Sequence, residues 1–179
     1  MPHAVTHVLI AIILLDIIRD YAIKKKHRMK FPLHYLIIVG IAALLPDVDI
    51  VIYWFLNLVS GVSLSEVHRT FTHTLFFPAI FLVAGFITLN VKSKNLSKHK
   101  MKLSTIFFII AFGVFTHLLL DFALSGYVMP LYPLSTQTFG LNLVKLTPWP
   151  DTILPALDAI LLLGWLIHEE RKHKISDFI

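Results

Sequence analysis

An all-α fold, a polytopic membrane bundle of five transmembrane helices with the second broken at Pro46, is what this sequence predicts. Three observations carry that expectation. Of 179 residues, 56% are hydrophobic and 15% charged, against roughly 45–50% and 25% in soluble domains. A soluble fold of this length would expose too much apolar surface, so lipid is the expected solvent. The apolar residues gather in stretches long enough, or nearly so, to cross a bilayer, which takes roughly 20 residues. Lys and Arg cluster in short runs between those stretches, as they do in cytoplasmic loops. That clustering also argues against nucleic acid as the reason for the net charge of +5. There is no cysteine, which excludes disulfides and thiolate-bound metal.

The stretches follow in order. The first, Ala4 to Ile23, lacks the basic start and small-residue cleavage site of a signal peptide and is read as a retained helix. The second runs from Leu33 to Val59 and is interrupted by Leu45-Pro46-Asp47-Val48-Asp49. Proline lacks a backbone donor and breaks the helix there, so Asp47 and Asp49 are expected on unwound backbone turned toward the bundle centre. The third covers Thr70 to Asn90, the fourth Ser104 to Ser125 and the fifth Thr152 to His168. No repeat or low-complexity segment divides the chain, so 1–179 reads as a single domain.

Charge sets the expected orientation. Basic residues follow the first stretch (Lys24, Lys25, Lys26, Arg28, Lys30), separate the third from the fourth (Lys92, Lys94, Lys98, Lys100, Lys102) and follow the fifth (Arg171, Lys172, Lys174). Alternation through five spans puts all three runs on one side, the cytoplasmic side by the positive-inside rule. The N-terminus, the loop near Ser60 to Arg69 and the proline-bearing segment 126–151 then face outward in the cell membrane, with the C-terminus inside.

Ionisable side chains within a bilayer cost a few kcal/mol each and mark function. Here they share a depth. At 1.5 Å per residue, Asp47 and Asp49 lie roughly 21–24 Å across from the cytoplasmic end, and His117 and Asp121 roughly 20–25 Å. His7 begins the first helix, and His68 and His73 flank the start of the third. Four segments thus deliver His or Asp to one level, and the orientation argument used none of them. His117 and Asp121 are four apart and share a helix face. His68 and His73 are five apart and converge only if a helix begins between them, with Thr70 or Thr72 as its cap. Each residue alone has a plainer role. His7 suits a helix end, the His117–Asp121 pair suits a hydrogen bond, and the Pro-Asp-x-Asp kink suits a hinge. Asp20 reads as a local partner of Arg19 or Lys24, Asp158 as a neighbour of the site, and His168 as a solvated residue. The shared depth favours one metal site.

The motifs Thr6-His7-Val8-Leu9, Leu45-Pro46-Asp47-Val48-Asp49, His68-Arg69-Thr70-Phe71-Thr72-His73-Thr74, Thr116-His117-Leu118-Leu119-Leu120-Asp121 and Pro130-Leu131-Tyr132-Pro133 occur in this order. Together they resemble the YdjM-like family of membrane-bound, predicted metal-dependent hydrolases over residues 1 to 135. The family's His-Arg-Gly-x-Thr-His-Ser is altered here, with Thr70 for Gly and Thr74 for Ser. The resemblance implies His7, Asp47, Asp49, His68, His73, His117 and Asp121 as metal ligands. The ligand pattern is also similar, more weakly, to the zinc-dependent phospholipase C and single-strand nuclease group.

Seven ligands exceed the four of one tetrahedral zinc, so two or three divalent ions are expected. Mixed imidazole and carboxylate suit Zn²⁺ first, then Mn²⁺ or Fe²⁺. The expected activity is metal-dependent hydrolysis of a phosphoester on a membrane lipid or lipid-linked substrate. Arg69 and Asp49 are the candidate catalytic residues, Arg69 as a partner for phosphate oxygen. The rivals are a metal-dependent amide hydrolase and a non-enzymatic metal binder or carrier. The absence of His-Glu-x-x-His weakens the first, and the absence of an internal repeat weakens the carrier.

Overall fold

The computed structural model describes residues 4–25, 33–91 and 101–173. Among them the chain is helical, with one isolated antiparallel bridge between Val128 and Phe139. Several residues of the basic runs, Lys26, Arg28, Lys30, Lys92, Lys94, Lys98, Lys100 and Lys174, lie outside the described residues.

Helix α1 spans Ala4–Lys25. The second apolar stretch becomes two helices, α2 at His34–Ala42 and α3 at Val48–Ser60. Pro46 falls in the turn between them. That turn is closed by short-range bonds from Leu44 N to Ile41 O and from Leu45 N to Ala42 O, which end α2. Asp47 precedes α3 in helical backbone geometry without capping it, and Asp49 sits within its first turn. The expectation of unwound backbone therefore fails at Asp49, which α3 holds in place. Gly61, in the left-handed region that glycine favours, ends α3.

A single turn, α4 at Leu64–Val67, leads to a 3₁₀ turn at Phe71–His73 and then to α5 at Phe76–Ile87. Neither Thr70 nor Thr72 caps a helix. The Thr70 hydroxyl donates to Val67 O and the Thr72 hydroxyl to Asp49. Helix α6 spans Leu103–Leu120 and widens into a π turn at Asp121–Ser125, closed by Gly126 N donating to Asp121 O at 2.9 Å. Such π turns recur at functional sites. After an irregular segment with a 3₁₀ turn at Leu143–Leu146, α7 spans Pro150–His173.

Helices α1, α2 and α6 form the centre, with α5 against α6 and α7 against α1. Their core is Ala11, Leu15, Tyr35, Leu36, Val39, Ala43 and Ile109. Small residues bring these helices close, as in membrane bundles. At Gly113 a Cβ would lie 2.8 Å from Ala42 Cβ and 2.9 Å from Val39 O, and the latter is backbone that cannot step aside. Gly113→Ala should therefore push α6 off α2. The expected loss is about 1–3 kcal/mol, seen as a lower melting temperature of the purified protein in detergent.

Outside this centre the distribution of apolar side chains is inverted. Leu58, Val59 and Ile87 are exposed at 83%, 89% and 71%, while Asp16, Glu169, His73 and His117 are buried. That pattern suits lipid and not water. By length and composition, Leu103–Leu124 and Thr152–Lys172 can cross a membrane. Among the described residues only these two of the five expected spans qualify. Helix α1 is long enough but carries Asp16, Arg19 and Asp20. The second stretch is divided, and Val48–Ser60 and Phe76–Asn90 are short apolar helices.

The charges of α1 reach beyond the local spacing to another helix. Arg19 donates to Asp16 at 2.9 Å and lies 3.6 Å from Glu169 on α7. Asp20 meets His168 and Lys172, also on α7. His168, expected as solvated, is thus an interhelical partner.

Candidate metal centre

The ends of three helices and the turn before a fourth meet at one point. His7 comes from the start of α1, Asp47 and Asp49 from the α2–α3 turn and α3, and His117 and Asp121 from the end of α6. His68 and His73 bracket the turns between α4 and α5. All seven expected side chains come together. By distance they form three overlapping groups, His7–His117–Asp121, Asp47–His73–His117 and Asp49–His68–His73, with ligand atoms within 4.8 Å in each.

Hydrogen bonds sort the groups. His117 Nδ1 lies 2.7 Å from Ala43 O, which only accepts, so Nδ1 carries the proton and Nε2 is a bare lone pair. The Thr72 hydroxyl donates to Asp49 Oδ2 and stands 3.1 Å from His73 Nδ1. His73 Nδ1 is also 3.2 Å from Asp49 Oδ2. With its hydrogen spent on Asp49, the hydroxyl accepts from His73 Nδ1–H, which leaves His73 Nε2 bare as well.

The two bare nitrogens face each other at 3.3 Å. Asp47 Oδ1 is 3.6 Å from each of them. Asp121 Oδ2 is 3.5 Å from His73 Nε2 and 3.7 Å from His117 Nε2. Each carboxylate thus has one oxygen within 3.5–3.7 Å of both nitrogens. Asp121 Oδ2 is buried and has no hydrogen-bond donor. Three of these acceptors are buried and Asp47 is partly exposed; acceptors this close repel one another, and a buried carboxylate oxygen without a donor is costly. A cation at their centre removes both costs. The separations also fit: four ligands about 2.0–2.2 Å from a zinc-like ion sit about 3.3–3.6 Å apart at tetrahedral angles.

Asp49 is different. Its Oδ1 takes His68 Nδ1 at 2.9 Å, and its Oδ2 takes Arg69 N and Thr72 Oγ1 at 3.0 Å each, besides His73 Nδ1. These contacts use its acceptor capacity. His68 Nε2 and His7 Nδ1 are buried without partners. His7 stacks on His117 with ring centres 3.9 Å apart, its Nε2 3.7 Å from Asp121 Oδ1.

The family model of the YdjM inner membrane protein matches residues 1–176. The chain belongs to that family. No curated protein and no solved structure matches it. The family's description places this member in the inner membrane, in keeping with its apolar helices. Thr70 does not carry the left-handed residue of the turn. Arg69 does, at φ 65°, and such strain in a non-glycine residue is typical of functional sites.

Arg69 Nη2 lies 3.7 Å from Asp121 Oδ1, and its Nε and Nη2 are buried without hydrogen bonds. The guanidinium fills the space that a Cβ on Gly126 would occupy. The irregular segment after α6 is tied to the site, since Leu75 N donates to Pro130 O and Leu141 N to Phe122 O. Asp158 stays at the periphery, where the Thr6 hydroxyl donates to it at 3.0 Å, one residue before His7.

Sequence reasoning missed the part played by Thr72, the Ala43 carbonyl and Gly126. The row Thr70-Phe71-Thr72-His73-Thr74 was a signal for the first, because hydroxyls beside a buried histidine can set its tautomer. The other two act through backbone and space and leave no such mark.

Proposed function

We propose that this protein is a membrane-embedded, metal-dependent hydrolase that cleaves a phosphoester of a lipid or lipid-linked substrate. The observation that carries the reading is the gathering of His73 Nε2, His117 Nε2, Asp47 Oδ1 and Asp121 Oδ2 around the His73–His117 contact, with Asp121 Oδ2 buried and without a hydrogen-bond donor. These four hold a divalent transition-metal ion, zinc by preference. When bound, the ion would supply Lewis acidity and activate water for attack on a phosphoester, the water taking a position beyond these four ligands or in place of one of them. His7, beside the second oxygen of Asp121, and His68 offer further nitrogens for one or two more ions.

Asp49 orients rather than binds: it keeps His73 and His68 protonated on Nδ1, which directs their Nε2 lone pairs inward. Asp47, with 26% of its side chain exposed, is the open edge by which substrate arrives. Arg69 donates to phosphate oxygens, and Gly126 leaves it room to do so. The five-pass topology, with the N-terminus, the centre and segment 126–151 outside the cytoplasm and the C-terminus within, belongs to the same proposal. It is supported by the delivery of His7, Asp47, His117 and Asp121 to one end of the bundle. A site at that level meets headgroups.

The test is a screen of phospholipids and lipid pyrophosphates with purified protein and added Zn²⁺ or Mn²⁺. Release of a phosphorylated fragment or of phosphate is expected, and it should vanish in His117→Ala. Turnover of amide substrates with no phosphoester cleaved would overturn the reading. Gly126→Ala tests Arg69 without removing it. The atom in the way is the end of a flexible side chain, so the fold and metal content should persist while kcat falls about 10²-fold, as on loss of one charge-stabilising donor.

A further inference from the structure

An apolar cavity of about 390 Å³ opens beside the metal centre. Its volume falls within the roughly 300–1,000 Å³ typical of ligand sites. His73 forms part of its inner wall with the buried Leu118 and Val128, and the exposed Leu119, Leu131 and Phe139 form its rim. Three elements build it: α6, the π turn through Phe122, and the bridged segment carrying Val128 and Phe139. Leu75, whose N–H holds Pro130, closes the remaining side.

His73 is therefore shared, its Nε2 aimed at the polar centre and its ring against an apolar chamber. The neighbouring chamber between α5 and α6, lined by Pro78, Leu82 and Phe108, is apolar throughout and touches none of the seven cluster residues. The two chambers are alike in size, about 410 and 390 Å³, and what sets the second apart is the cluster residue in its wall. A bound amphiphile uses that juxtaposition, its head at the acceptors and Arg69 and its chain out of water.

We infer that this cavity holds the hydrocarbon chain of the substrate, so that the enzyme acts on a long-chain phosphoester with the chain seated between α6 and segment 128–139. This rests on the phosphoesterase reading of the centre. It adds that selectivity for a chain resides in Leu119, Leu131 and Phe139, away from the metal.

The probe is dodecyl phosphate with a diazirine at the chain end, photolysed with the full-length, zinc-loaded protein in phosphatidylcholine nanodiscs and mapped by peptide mass spectrometry. Labels are expected on Leu119, Leu131 and Phe139 above those on Leu58 and Val59 of α3, which report general lipid contact. Unlabelled dodecyl phosphate should compete about tenfold better than dodecanol. Leu131→Trp, at an exposed rim position, should depress the cavity labels and leave those on α3 unchanged. Equal labelling of α3 and the cavity, equal competition by dodecanol, or unchanged labels in Leu131→Trp would each overturn the inference. The two readings separate cleanly. Head-dependent cavity labelling without any phosphoester turnover sinks the hydrolase and keeps the chain site; turnover without cavity labelling does the reverse.

Discussion

Alanine at His117 is expected to strip the protein of its tightly bound metal. His117 presents one of two bare imidazole nitrogens, and Ala43 O fixes its tautomer at 2.7 Å. Without it, the centre keeps one nitrogen and two carboxylate oxygens, and water replaces the fourth ligand. Loss of a hydrogen-bonding partner of a ligand already costs about 10–100-fold in metal affinity, so loss of the ligand itself should cost more. Elemental analysis of purified wild-type protein should find at least one transition-metal equivalent, and of His117→Ala only background. Asp47→Ala should behave alike. The carboxylate of Asp121 then remains buried beside His73 with no cation, so a lower melting temperature should accompany the loss of metal.

Asparagine at Asp49 is expected to weaken binding without abolishing it. Asp49 accepts from His68, Arg69 N and Thr72, and lies 3.2 Å from His73 Nδ1. Asparagine replaces one accepting oxygen with an NH₂ that confronts donors. His73 then loses the contact that holds its proton on Nδ1, and its Nε2 lone pair is no longer assured. A 10–100-fold rise in the zinc dissociation constant is expected, about 1.4–2.7 kcal/mol, with full occupancy regained at higher zinc. Competition titration against a chromophoric chelator measures it. If Asp49→Asn proves as empty as His117→Ala at every zinc concentration, Asp49 is a ligand and not an orienting group.

The cluster was legible because membrane chemistry makes polar residues rare, and their depth can be counted along helices. His7, Asp47, His117 and Asp121 needed only stretch boundaries and a rise per residue. His68 and His73 needed a break between them, and α4 and the 3₁₀ turn supply it. What spacing cannot convey is which atoms of a carboxylate are already engaged. Asp47 and Asp49 look equivalent in Pro-Asp-x-Asp, yet three donors from elsewhere in the chain engage Asp49. Pairing between distant helices was equally hidden. Asp20 has an Arg beside it and a Lys four residues on, and it reaches His168 and Lys172 on another helix. Glu169 lies just past the fifth stretch as read, so its place beside Arg19 had no signal. Of the five apolar stretches, only the fourth and fifth came through, among the described residues, as helices long and apolar enough to cross a membrane, because stretch length does not report a charged flank on α1, a break at Pro46 or a short α5.

The most direct test of the account is X-ray absorption at the zinc edge of the loaded, full-length protein. At one zinc equivalent, two histidine nitrogens and two carboxylate oxygens at about 2.0–2.2 Å are expected, with the outer-shell pattern of imidazole present in wild type and reduced in His117→Ala. A zinc environment of oxygen alone, or one unchanged in His117→Ala, would contradict it.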